Sequence, residues 1–87
     1  MNANANPQKR PIQKAVAEWE AANNKKLAEE SHVNLIFNGI MDVDSATLNS
    51  FTACVRLSLS SNFISKMQDI HLKNLKILSL GRNKLKY

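Results

Sequence analysis

At 87 residues the chain holds one domain at most, and its 44% hydrophobic and 22% charged residues are ordinary for a soluble protein. A chain of this size buries only about 60–65% of its unfolded surface, so its margin of stability is narrow. The net charge of +5 is unevenly spread: residues 1–53 carry five Lys/Arg against six Asp/Glu, and residues 54–87 seven against one. No run approaches the roughly 18 apolar residues of a membrane span, so no membrane partner is expected. The single cysteine, Cys54, can form no internal disulfide, which fits a reducing, cytoplasmic compartment.

Met1-Asn-Ala-Asn-Ala-Asn-Pro7 is polar and lacks the apolar core of a secretory signal; residues 1–10 read as a disordered tail. Pro11 to Asn24 reads as a helix. Pro11 suits a first helical position, Ala15, Ala17, Ala21 and Ala22 favour propagation, and Asn23 and Asn24 are terminators. Ile12, Ala15, Val16 and Trp19 fall on one stripe, which by default is a packing face. Lys25 to Ser31 is a charged continuation or linker. Val33, Leu35 and Phe37 alternate, so Val33–Phe37 is a strand candidate, followed by an Asn38-Gly39 turn signal. Asp44 to Thr47 then opens a short helix-like segment with Asp44 or Ser45 as N-cap and Leu48 and Phe51 facing inward. Asp42 and Asp44 do not begin a calcium loop, because the sixth position is Thr47 rather than Gly and the twelfth is Ala53 rather than Glu.

The stretch from Cys54 onward repeats itself. Cys54-x-x-Leu57-x-Leu59-x-x-Asn62-x-Ile64 recurs as Leu75-x-x-Leu78-x-Leu80-x-x-Asn83-x-Leu85, offset by 21 residues, a period within the leucine-rich-repeat window. The leucine pair has strand periodicity and faces the core. The turn that follows leaves backbone groups without ladder partners, and a buried Asn amide can satisfy them, which assigns Asn62 and Asn83 to a structural ladder. Between the repeats, Met67, Ile70 and Leu72 recur at near-helical spacing and are expected to pack behind the strands. Val33–Phe37 is then an imperfect first repeat without the full L-x-L-x-x-N pattern, and the amphipathic helix covers the open apolar end of the stack. The expected architecture is an α/β leucine-rich-repeat solenoid: short parallel strands with helical or irregular backs, capped by an N-terminal α-helix. Residues 11–31 form the cap and linker and 32–87 one imperfect and two clear repeats, apparently truncated. A stack stopping there exposes an apolar end carrying Leu78, Leu80 and Leu85, so the chain reads as a fragment or as one that needs something docked on its last repeat.

Chemistry-bearing patterns are missing. His32 and His71 are single, with no second ligand at metal spacing, and two glycines more than forty positions apart cannot make a phosphate loop. Cys54 occupies a leucine position and reads as a small buried hydrophobe. Neither an enzyme nor a cofactor is expected.

The run Asp44-x-x-Thr47-Leu48, Cys54 to Lys66 and Leu72-Lys-Asn-Leu75-Lys-Ile-Leu78-Ser-Leu-Gly-Arg-Asn83 resembles the leucine-rich-repeat light chain 1 family of outer-arm axonemal dynein. Ile12-x-Lys14-Ala15-x-x-x-Trp19-Glu20 is similar to that family's first helix. The likeness covers about residues 11–86 and only the N-terminal part of the family's length. The cap region and the segment between Asn62 and Leu75 each stand one residue short of the family pattern. The resemblance implies a non-enzymatic subunit of a ciliary or flagellar motor, in the axoneme, bound to a dynein heavy chain at its microtubule-binding region, with tubulin as a further neighbour.

Strand geometry places Arg56, Ser58 and Ser60, then Ile77, Ser79 and Gly81, between the core leucines on the concave face, with Arg82 at its edge. Small Ser and Gly leave a flat floor, and Arg supplies several donors to carboxylates. The plain alternative is a solvated strand face. Another leucine-rich-repeat adaptor, for a phosphatase or other enzyme, fits the repeats but not the Trp19 helix. A nucleic-acid or other polyanion binder fits the basic half, but Lys66, Lys73, Lys76, Lys84 and Lys86 are scattered and no aromatic platform accompanies them, so no nucleic acid is expected.

Overall fold

In the computed structural model, which describes residues 9–85, the chain begins with β1 (Arg10–Pro11) and α1 (Ile12–Asn23). A 3-10 turn at Leu27–Glu29 leads to β2 (His32–Asn34), β3 (Ile40–Asp42), α2 (Ser45–Leu48), β4 (Arg56–Ser58) and β5 (Ile77–Ser79). Every strand pair is parallel. β2, β4 and β5 lie side by side in that order, with His32, Arg56 and Ile77 in one row, Val33, Leu57 and Leu78 in the next, and Asn34, Ser58 and Ser79 in the third. β1 pairs with β3 in a separate two-stranded piece, so neither sheet closes.

Pro11 stands just before the helix rather than inside it, extended at φ −71° and ψ 156°, where its missing N–H costs nothing. α1 buries Ile12 and Ala15 completely and packs Val16 and Trp19 partly against the core. Asn24 closes it in the left-handed conformation, φ 53°, with its N–H donating to Glu20 O at 2.8 Å. Of the expected tail, residues 1–8 lie outside the described residues, and Arg10 is ordered in β1. The linker also hides a core residue: Leu27 is fully buried, and its N–H donates to Glu20 Oε2 at 2.9 Å.

The first repeat is more regular than its alternation suggests. Its strand ends at Asn34, not Phe37, because Phe37 has a left-handed φ of 57° and turns the chain. Ser61 (φ 59°) and Arg82 (φ 58°) do the same immediately before Asn62 and Asn83. Val33-x-Leu35-x-x-Asn38-x-Ile40 therefore carries the full pattern, with Val in place of the first Leu.

The register advances 24 residues from β2 to β4 but 21 from β4 to β5. The difference is about one helical turn, and α2 supplies it. Asp44 Oδ2 accepts from the Thr47 N–H at 2.9 Å and from its hydroxyl at 2.8 Å, starting the turn that buries Leu48. At the same distance beyond Asn62 stands Gln68, which is a poor N-cap, and without a cap a short helix does not overcome its nucleation cost. The near-helical spacing of Met67, Ile70 and Leu72 is accordingly not a helix, although Leu72 is buried and the other two pack partly against the core. At the β5 end, Leu78 is 38% exposed, whereas Leu80 and Leu85 are partly covered, so less apolar surface is open there than the pattern predicts.

Candidate partner-binding face

The turns after the strands are held by asparagines. Asn62 Nδ2 donates to Leu35 O (3.0 Å), Leu59 O (2.8 Å) and Ser60 O (3.2 Å), while its Oδ1 accepts from the Asn38 N–H (2.8 Å) and the Ile40 N–H (3.1 Å). Asn83 repeats this one step on: Nδ2 donates to Leu59 O and Leu80 O, each at 2.9 Å, and Oδ1 accepts from the Ile64 N–H at 2.9 Å. At the N-terminal end Arg10 takes the donor's place, with Nε on Asn38 O at 2.8 Å and Nη2 on Asn38 Oδ1 at 3.0 Å. Its Nη1 lies 2.7 Å from Glu18 Oε2, and hydrogen bonding and charge from Arg10 hold the Glu18 carboxyl below its ordinary range.

With turns and register fixed, the alternate side chains of β2, β4 and β5 stand on one face. The register sets Arg56 beside Ile77 and Ser58 beside Ser79, and a hydrogen bond from the Ser61 N–H to Gly81 O (2.8 Å) carries the alignment on to Ser60 and Gly81. Arg56 and Ile77 are exposed and the three serines half-buried. Space over Gly81 is open, with no atom within 4 Å of where a Cβ would stand. Arg82 is exposed at the turn, on the rim rather than in the strand row. β2 adds residues that sequence reasoning missed: His32 and Asn34 continue the rows, and Ile36 and Phe37 follow at 44% and 56% exposure. The signal was present, since Val33-x-Leu35-x-x-Asn38 aligns them with the later repeats.

This face offers donors, a small polar floor and exposed apolar side chains, but no catalytic constellation. Among the described residues no group of three His, Cys, Asp or Glu could hold a metal ion, and no helix is long and apolar enough to cross a membrane. Cys54 is buried, its Sγ–H donates to Arg56 O at 3.2 Å, and burial pushes its thiol up, away from the reactive thiolate.

No family model matches the chain. Over 78 residues it is 46% identical to dynein axonemal light chain 1 of Ciona intestinalis and 38% identical to that of Homo sapiens. Each of these alignments covers 86% of this chain and 40% of the relative. With the Chlamydomonas reinhardtii protein of the same name, a 42-residue stretch is 50% identical, covering 47% of this chain and 21% of the relative. The chain thus spans well under half the length of the relatives it matches. Identity of this extent, on a chain whose strands, turns and asparagines recur at one spacing, makes the chain similar to the N-terminal part of dynein axonemal light chain 1.

Proposed function

We propose that the chain is a non-catalytic binding subunit of an axonemal dynein, located in the axoneme of cilia or flagella. It docks on a dynein heavy chain at the microtubule-binding region, beside tubulin, and tunes motor activity there. Arg56, Ser58, Ser60, Ile77, Ser79 and Gly81 make the contact, with Arg82 at the rim. The repeats form the start of a leucine-rich-repeat solenoid with α1 as its N-terminal cap. The observation that carries this reading is 46% identity over 78 residues to an axonemal dynein light chain. The open strand face, with donors and no chemistry, supports a role in binding rather than turnover.

The test is a tagged version of the protein expressed in a ciliated cell. It is expected in the axoneme, extracted by high salt together with outer-arm dynein. A signal spread evenly through the cytosol, with none in cilia, overturns the reading.

A further inference from the structure

We propose that partner binding on this face is centred on β2 and its turn, where Ile36 and Phe37 form an apolar anchor and Arg56, with His32, Asn34 and Ser58, receives a carboxylate. The occupant is an acidic, amphipathic segment of another protein. This rests on the reading above that the strand face binds a protein.

Phe37 is the first observation. A bulky residue in the left-handed region is unfavourable, because its Cβ crowds the following carbonyl. The same turn position is filled by Ser61 in the next repeat, so the backbone does not call for an aromatic there. Nor does packing: the residue is 56% exposed, and Ile36 beside it is 44% exposed. An unfavourable conformation that folding does not require points to a surface role. Exposed aromatic and aliphatic side chains next to a small polar floor are what interface centres are made of.

The notch is the second observation. His32, Val33, Asn34, Arg56 and Ser58 line a depression of about 320 Å³ on the same face. Among the described residues Arg56 has neither an ion-pair nor a side-chain hydrogen-bond partner, and no Asp or Glu stands in the strand rows. Asn34 Oδ1 is occupied by the Ile36 N–H at 3.1 Å, which leaves its Nδ2 as a donor. The Arg56 guanidinium, the Ser58 hydroxyl and that amide therefore all offer hydrogens to one acceptor, and a carboxylate suits the guanidinium fork. From the His32–Arg56 row to Ile36 in the turn is four residues, no more than about 13 Å at the rise of a strand. One partner segment can reach both, and the apolar anchor selects a protein over a bare anion.

The test uses the full chain immobilised against a phage library of random 16-residue peptides. The expected pool is rich in Asp/Glu together with large apolar residues, and selection on Arg56→Glu exchanges the acidic preference for Lys/Arg. Phe37→Ser is expected to weaken the selected peptides about tenfold or more while the melting temperature stays level or rises; Ile36→Ser weakens them without unfolding. An absent or basic pool, a pool unchanged by Arg56→Glu, or a Phe37→Ser variant that melts lower and loses binding with its fold overturns the proposal. So does a thymidine 20-mer that displaces the peptides and ignores Phe37→Ser, since that is a polyanion site. The two readings fail separately. Dynein association that survives both Phe37→Ser and Arg56→Glu sinks this surface and leaves the light-chain role standing; a parent chain that never enters cilia sinks that role and leaves the peptide result intact.

Discussion

Asn62 is 4% exposed and makes five hydrogen bonds to backbone groups of two turns. An apolar side chain of similar size fills its space yet leaves those groups unpaired, at about 1–3 kcal/mol for each that water cannot reach. Asn62→Leu is therefore expected to lower the urea midpoint clearly, and Asn83→Leu less, because its turn is more exposed. Equal midpoints for Asn62→Leu and the parent would show that water replaces the amide. Asn62 and Asn83 could be found because an eleven-residue pattern recurs around them, with its apolar positions and its asparagine in the same places. Asn38 was hidden by Gly39: the pair explains itself locally as a turn signal, so nothing prompted a search for a longer pattern, and Val33 disguised the leucine that would have revealed one. Phe37 was misread for a related reason. Alternation carries the strand on to it, and only its φ shows that the chain has already turned.

Helix α1 was legible almost to the residue, since a stripe of apolar side chains, a leading proline and trailing asparagines all agree. The segment behind β4 was not, because apolar spacing alone does not make a helix where no residue caps it. The contrast makes Asp44 testable. Asp44→Ala should cost about 0.5–2 kcal/mol in urea unfolding through loss of the cap. Burial pushes the Asp44 carboxyl up, but the Thr47 hydrogen bonds outweigh it and hold the group below its ordinary value. Its contribution is then complete above the unfolded value, about pH 4, and is lost as pH falls through the lower folded value. Asp44→Asn, which caps without titrating, should lose less stability than the parent on acidification below about pH 4. Parallel acid limbs for the two proteins would show that the cap acts without its charge.

Burial across the stack is graded. Val33 and Leu57 are fully buried in their row, whereas Leu78 is 38% exposed. Leu57→Ala should cost about 2–5 kcal/mol, as a cavity in a packed core does. Leu78→Ala should cost about 1 kcal/mol or less, because little of its surface leaves water. Hydrogen exchange checks the same gradient without mutation: amides of β5 should exchange before those of β4. A chain in which both strands exchange together would instead be a single cooperative unit.

Between repeats, the bonds of Asn62 and Asn83 all reach back to the repeat before, where Asn62 donates to Leu35 O and Asn83 to Leu59 O. Backbone donors of one repeat find their acceptor in the asparagine of the next: Asn38 and Ile40 in Asn62, and Ile64 in Asn83. Each turn is therefore finished by residues that follow it. On the ribosome, where the N-terminal part emerges first, the turn at Asn38 stays provisional until Asn62 has been synthesised, and the Ile64 amide waits in the same way for Asn83. Maturation of the fold is thus tied to the direction of translation, and a pause between successive asparagines would hold the nascent chain with its newest turn unsealed.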